Sequence, residues 1–312
     1  MNDSRVSKNQ TLTIVALASA LVVGLPFLNK PFHIDDTFVL AIAEQICRDP
    51  LRPYSASFNW FSDPQPIFDI STNPPFLSYW LAPALAIFGP SEIAMHLAML
   101  PFLILLALSV AALSRRFAQG SIWPVLFVMF SPAVVVSPNI MRDVPAAALV
   151  TAGIALFVAG TDQNRWFYAI CGALLAGLSS TAKYSTLILI PVMALYPIFM
   201  RKPRFLLALL ASFAAPGLWF LQNYMVHGKV HFLTMQSAEK ANISLANMAL
   251  AALVITGASF FLVPVFVVQH VVRFWRCAQA LAAALILAVL LPSWIHKVNP
   301  AQQAFQYYLW AT

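Results

Sequence analysis

Residues 12–36 read LTIVALASALVVGLPFLNKPFHIDD. The apolar run over 12–28 gives way within a few residues to an acidic pair, Asp35 and Asp36. A polar stretch carrying Arg5 and Lys8 precedes the run. Basic residues followed by a long apolar segment without a convincing cleavage site read as an uncleaved signal-anchor, the first membrane span. Carboxylates are costly near hydrocarbon, so a pair at the mouth of a span marks a functional site by default.

The rest of the chain agrees with a membrane setting. Of 312 residues, 61% are hydrophobic and 9% charged, with mean hydropathy +0.78. Soluble domains carry about a quarter charged residues, so this much apolar surface has no home in one water-soluble core. The net charge of +7 could suggest nucleic acid, but the basic residues are scattered between apolar runs. They read as topology signals and contacts to anionic headgroups, and no nucleic-acid partner is expected. Cys47, Cys171 and Cys277 are far apart, with no CxxC, and imply neither a disulfide framework nor a zinc site.

A span takes roughly 20 apolar residues. Further spans are expected at 93–113, 121–136, 144–160, 167–180, 186–200, 205–221, 245–268 and 278–294. The sequence thus predicts an all-α, polytopic membrane protein with about nine transmembrane helices, one domain over 1–312. The loop over 30–75 is too polar to cross. Inside it, 38–47 alternates at helical spacing behind Asp35 and Asp36, and Asp-Pro and Arg-Pro steps mark turns. The segment 75–88 is apolar but short, as suits a surface or re-entrant helix.

With the N-terminus inside, Arg115, Arg116, Arg165, Arg201, Lys202 and Arg204 become cytoplasmic along with Arg5 and Lys8. Of the acids, only Asp3 and Asp162 join them. This obeys the positive-inside rule and predicts a multi-pass inner-membrane protein with its polar motifs on the extracytoplasmic face. The short cytoplasmic loops leave no room for a nucleotide-binding domain, and no Walker or dinucleotide glycine motif occurs.

Four outward motifs recur at span ends: His33-Ile34-Asp35-Asp36, Asn73-Pro74-Pro75, Met141-Arg142-Asp143-Val144-Pro145, and 177–184, which reads GLSSTAKY. A carboxylate within reach of a hydroxyl can act as general base. A cation beside a phosphate can stabilise a leaving group in a partly dry site. Blander roles compete. Asp36 could cap a helix, Arg142 and Asp143 could form a local surface pair, Lys183 could snorkel, and Tyr184 could sit in an interface belt. His227 and His231 have the i, i+4 spacing of a helical metal pair, interrupted by Gly228.

The order of these motifs resembles the GT-C glycosyltransferases, in the branch of the protein O-mannosyltransferases and the lipid A aminoarabinose transferases (glycosyltransferase family 39 type). Members have an acidic pair after the first span, here Asp35-Asp36, and a Pro-Pro-Leu-like segment, here Pro74-Pro75-Phe76-Leu77. A Phe-Gly-x-Ser-Glu turn follows, here Phe88-Gly89-Pro90-Ser91-Glu92. An acid begins the fourth span, here Asp143. A Gly-Leu…Lys-Tyr end closes the fifth, here Gly177 to Tyr184. The resemblance covers roughly 12–196.

The resemblance implies a sugar carried on polyprenyl phosphate and transferred with inversion to an extracytoplasmic lipid A, protein or glycan acceptor. By position it makes Asp35 the base, with Asp36 and Asp143 supporting it. Lys183, Arg142, Asn73 and Tyr184 would then contact substrate. Members use a divalent ion in some cases and not in others. The sequence departs from the pattern at Asn73, where a lysine is usual before Pro-Pro, and at His96, where arginine often follows the Ser-Glu turn. Full members usually continue with further spans or a C-terminal domain, so the family's C-terminal part is expected to be missing. Two other readings stand beside this one, a non-catalytic or truncated lipid-carrier binder and a secondary transporter. The transporter would need ionisable residues in mid-span.

Overall fold

The computed structural model describes residues 2–60, 63–135 and 139–238. The spans expected at 245–268 and 278–294, together with Cys277, lie outside the described residues. The described part is mostly helical, and four of its segments are long and apolar enough to cross a membrane: Asn9–Phe27, Glu92–Phe117, Asp143–Gln163 and Pro203–His227.

Helix α1 (Asn2–Gly24) buries Leu12, Ala16, Ala20 and Val23, a stripe at helical spacing, mainly against helix α5 (Glu92–Phe117). Its opposite face is apolar too, with Ile14 65% and Val22 59% exposed. A helix apolar on both sides belongs in a core or in lipid. Leu207, Leu210 and Leu218 near the far end of the described chain repeat this outward apolar pattern.

Helix α2 (Ile34–Arg48) starts at a reciprocal cap. Asp36 accepts from the His33 N–H, while His33 accepts from the Asp35 N–H. Its inner face, with Phe38, Val39, Ile42, Ala43 and Ile46, packs in one core with Leu77, Leu81 and Leu85 of α4 (Phe76–Phe88). Between them lie a short antiparallel hairpin, β1 (Ser57–Asn59) with β2 (Pro64–Pro66), and the single turn α3 (Ile67–Ile70). At 13 residues, α4 is about 20 Å long, short of the roughly 30 Å hydrocarbon core.

Helix α5 (Glu92–Phe117) follows an N-cap in which Ser91 accepts from the Ala94 N–H. Within the span expected at 121–136 the described residues do not form one continuous helix. The chain breaks into α6 (Trp123–Met129) and α7 (Pro132–Val135). Pro132 has no N–H to continue the ladder, and the Ser131 hydroxyl donates back to the Val128 carbonyl.

Helices α8 (Asp143–Gln163) and α9 (Trp166–Ser180) form the tightest pair. Their backbones approach so closely that a Cβ on Gly160 would lie 2.4 Å from the Ala169 nitrogen. Ala169, Ala173 and Ala176 complete the seam and are fully buried, the small-residue packing by which helices associate in membranes. The chain continues through a 3-10 turn, Tyr184–Ile188, into α10 (Leu189–Phe199). A longer 3-10 stretch, Pro203–Phe213, then leads into α11 (Ala214–His227) and α12 (His231–Ala238). Gly177 abuts this stretch, and a Cβ there would fall 2.0 Å from the Ser212 carbonyl oxygen.

The two ends of α8 differ in charge. Near its C-terminus Asp162 accepts from Arg116 Nε and from the Tyr196 hydroxyl, and Lys202 donates to the Thr161 and Asp162 carbonyls. Asp143 opens the helix about 30 Å away.

Candidate active-site cleft

At that opposite end of α8, four separated segments meet around a cleft of about 290 Å³. The start of α2 contributes Asp35, the turn after α3 contributes Thr72 and Asn73, the approach to α8 contributes Arg142 and Asp143, and the end of α9 contributes Lys183. Phe38, Val39, Trp60, Ile70, Ile140 and Met141 supply the remaining, mostly apolar wall.

The first segment is tied to the third through Asp36. This residue is fully buried and does not line the cleft. One carboxylate oxygen accepts from the His33 N–H at 2.8 Å and the other from the Ile140 N–H at 2.9 Å. A buried carboxylate satisfied by two backbone donors holds parts together. Of the acidic pair, Asp36 therefore positions and Asp35 faces the cleft.

Asp35 is about half exposed, its carboxylate 3.5 Å from His33 Nδ1. That nitrogen also accepts from the Asp35 N–H at 3.3 Å. The half-exposed carboxylate borders the cleft, where it can accept a hydrogen bond.

Arg142 is the opposite case. Its Nε and one terminal nitrogen are buried and have no hydrogen-bond partner among the described residues. The guanidinium lies over the Phe38 ring, 5.8 Å from its centroid. Burial pulls the Arg142 pKa down, while Tyr54, Asp143 and Asp35 push it up. A guanidinium does not give up its proton in proteins, so the cleft holds a cation with unused donors.

Lys183 and Asp143 neutralise one another, with Lys183 Nζ donating to an Asp143 oxygen at 2.5 Å. Both side chains reach solvent, so the pair contributes little to stability. Asn73 is fixed from several sides. Its carbonyl accepts from the Tyr54 hydroxyl and from Ser71 Oγ, and its side-chain oxygen accepts from the Tyr184 N–H at 3.4 Å. Tyr54 is fully buried, and burial pushes its phenol up to about 12, against the Arg142 charge and the Ser71 hydrogen bond.

Of the residues singled out in the sequence, Asp35, Asn73, Arg142, Asp143 and Lys183 share the cleft, whereas Asp36 and Tyr184 stand behind it. The Tyr184 hydroxyl points away, accepting from Trp219 Nε1 and meeting His231 Nδ1, each at 2.9 Å. His96 is packed within α5, stacked on Phe32. His227 stacks on Phe68 at 4.2 Å, and both His231 nitrogens are engaged in hydrogen bonds. Among the described residues no three His, Cys, Asp or Glu side chains gather as a metal-binding group. Tyr54, Ser71 and Trp219 carry no sequence signal as cleft supports, since each is an ordinary core or loop residue by type, and His231 draws notice only through its spacing from His227.

No protein-family model, no curated protein and no solved structure matches this chain.

Proposed function

We propose that the cleft is the active site of an inverting glycosyltransferase of GT-C type, which moves a sugar from a polyprenyl-phosphate carrier to a hydroxyl-bearing acceptor. One observation carries this reading. A half-exposed carboxylate, Asp35, and a cation with unused donors, Arg142, border the same small cleft. Inverting transfer requires those two elements, a base for the acceptor and a counter-charge for the leaving group.

The acceptor oxygen attacks the anomeric carbon from the face opposite the phosphate. Its proton passes to an Asp35 oxygen as the new carbon–oxygen bond forms. The bond from the anomeric carbon to the phosphate oxygen breaks, and its electron pair leaves on the polyprenyl phosphate. Arg142 donates to that phosphate as charge develops there, in a site whose apolar walls strengthen the interaction. Lys183 and Asp143 flank the reacting groups, and Asn73 offers a polar edge to the sugar. The volume of about 290 Å³ is at the small end for ligand sites, suited to a sugar and its phosphate with the lipid tail left in the bilayer.

The charge pattern along α8 supports a placement. The basic cluster around Arg116 and Lys202 sits at one end of this span and the cleft at the other. Putting the basic end in the cytoplasm puts the cleft on the extracytoplasmic side of the inner membrane. The acceptor there is a lipid, a protein hydroxyl or another glycan.

The test is transfer by the purified chain in nanodiscs, with labelled polyprenyl-phosphate sugars and a membrane extract as acceptor. Asp35→Asn is expected to lower transfer by about 100-fold or more while the carrier still binds. Undiminished transfer in Asp35→Asn removes the base. Carrier binding without transfer in the wild type replaces the enzyme with a carrier-binding protein.

A further inference from the structure

Behind the cleft wall lies a closed set of hydrogen bonds centred on His231, which is fully buried. Its Nε2 is 2.8 Å from the Ser71 carbonyl, and its Nδ1 is 2.9 Å from the Tyr184 hydroxyl. The proton positions follow from the partners. A carbonyl only accepts, so Nε2 carries the hydrogen. An indole N–H only donates, so the Tyr184 hydroxyl accepts from Trp219 Nε1 and sends its own hydrogen to His231 Nδ1. Two independent neighbours thus require the same neutral tautomer.

The two residues His231 joins are the anchors of opposite cleft walls. Ser71 precedes Thr72 and Asn73, and its hydroxyl reaches the Asn73 carbonyl at 2.9 Å and Tyr54 at 3.1 Å. Tyr184 follows Lys183, and its N–H donates to Asn73 Oδ1. Removing the imidazole leaves the Ser71 carbonyl and the Tyr184 hydroxyl without this link between the walls.

We propose that His231 is a positioning residue, a neutral imidazole that clamps Ser71 to Tyr184 and thereby fixes Asn73 and Lys183 across the cleft. It acts through these residues and does not itself touch the cleft. The groups that face it are Tyr54 and Tyr184 by ring contact, with His227, Asp69 and Arg142 acting through their charge. Burial holds the imidazole down at about 4, with Arg142 and His227 adding to the effect and the Ser71 carbonyl and Asp69 opposing it. The clamp therefore stays neutral through the physiological range.

The first experiment is nitrogen NMR on the full chain labelled at histidine in nanodiscs, with His231→Gln identifying the signal. A protonated Nε2 and a bare Nδ1, unchanged from pH 8 to pH 5, is the expected result. Protonation at Nδ1, or titration near the ordinary histidine value, overturns the clamp. The second experiment rests on the proposed transferase reading and follows sugar transfer. Gln can still donate to Ser71 and accept from Tyr184, whereas Phe fills the space and does neither. His231→Phe should lose about 100-fold in kcat, the scale of a misplaced reacting group, with KM for the donor near wild type, and His231→Gln should recover most of it. Equal kcat in His231→Phe and wild type overturns the positioning role. A wild type that transfers no sugar removes the transferase reading, and the clamp is then decided by the NMR result together with amide exchange over 67–76. Exchange there rises in His231→Phe if the clamp holds and is unchanged if it does not.

Discussion

The carboxylate of Asp36 is bonded to the backbone N–H of Ile140, a residue 104 positions away in the chain. Through this contact the start of α2 and the approach to α8 become a single piece of cleft wall, with Asp35 on one side and Arg142 on the other. The same carboxylate caps its own helix through His33.

Loss of that carboxylate should be felt as instability first. Asp36→Ala leaves the buried Ile140 N–H and the His33 N–H without their acceptor, which costs about 3 kcal/mol. Asp36→Asn keeps one accepting oxygen and should lose less. Thermal unfolding in detergent checks the order. An Asp36→Ala protein as stable as wild type contradicts the buried geometry.

The two cations of the cleft should separate in binding experiments. Arg142 has unused donors, whereas Lys183 is already neutralised by Asp143. Arg142→Ala is expected to weaken polyprenyl-phosphate binding about tenfold or more, as for loss of a charged hydrogen bond. Arg142→Lys should not restore it, because an ammonium lacks the planar fork. Lys183→Ala should have the smaller effect. Ligand-induced shifts in Tm measure all three, and the reverse order would move the phosphate to Lys183.

Sidedness has a direct check. Leu51 is 75% exposed in the loop after α2. In a chain freed of its own cysteines, Leu51→Cys should react with an impermeant maleimide applied from outside intact cells. Labelling only after the cytoplasmic face is opened would invert the proposed orientation.

Acid should weaken the fold through His231. Its pKa is lowered from 6.5 to about 4 on folding. The unfolded chain takes up a proton as pH falls through 6.5, and the folded protein refuses it until about 4. Unfolding is therefore favoured progressively over that window, and this contribution to stability is intact only above 6.5. The Tm of wild type should fall more steeply between pH 6.5 and 4 than that of His231→Gln. Parallel curves would show that His231 is already charged in the folded state.

Much of the site could be read from the chain because charged groups beside apolar runs are conspicuous. Asp35, Asn73, Arg142, Asp143 and Lys183 stand out in that way, and the structure brings them to one cleft. What escaped reading depends on partners distant in sequence. Asp36 looks like its neighbour until Ile140 supplies the second N–H. Tyr184 looks like a lining residue until Trp219 and His231 claim its hydroxyl. His231 looks like half of a metal pair with His227, but Ser71 and Tyr184 occupy its nitrogens. On the fold, hydropathy located 93–113 and 144–160 well, because α5 and α8 are long apolar helices. Over 121–136 a window of apolar residues averages over the break at Ser131 and Pro132, so hydropathy does not show it. The β1–β2 hairpin was also invisible, since three-residue strands bearing prolines show no alternation to recognise.

The glycine and alanine seam between α8 and α9 has a mechanical meaning for the cleft. Backbone rests on backbone at Gly153, Gly160 and Gly172. Asp143 begins one helix and Lys183 follows the end of the other, so both ride on a single stiff strut. The distance between them is a manufactured dimension of the molecule. The stretch from Asp35 to Asn73 is joined to this strut by side-chain bonds instead, through Asp36 to Ile140 and Asn73 to Tyr184.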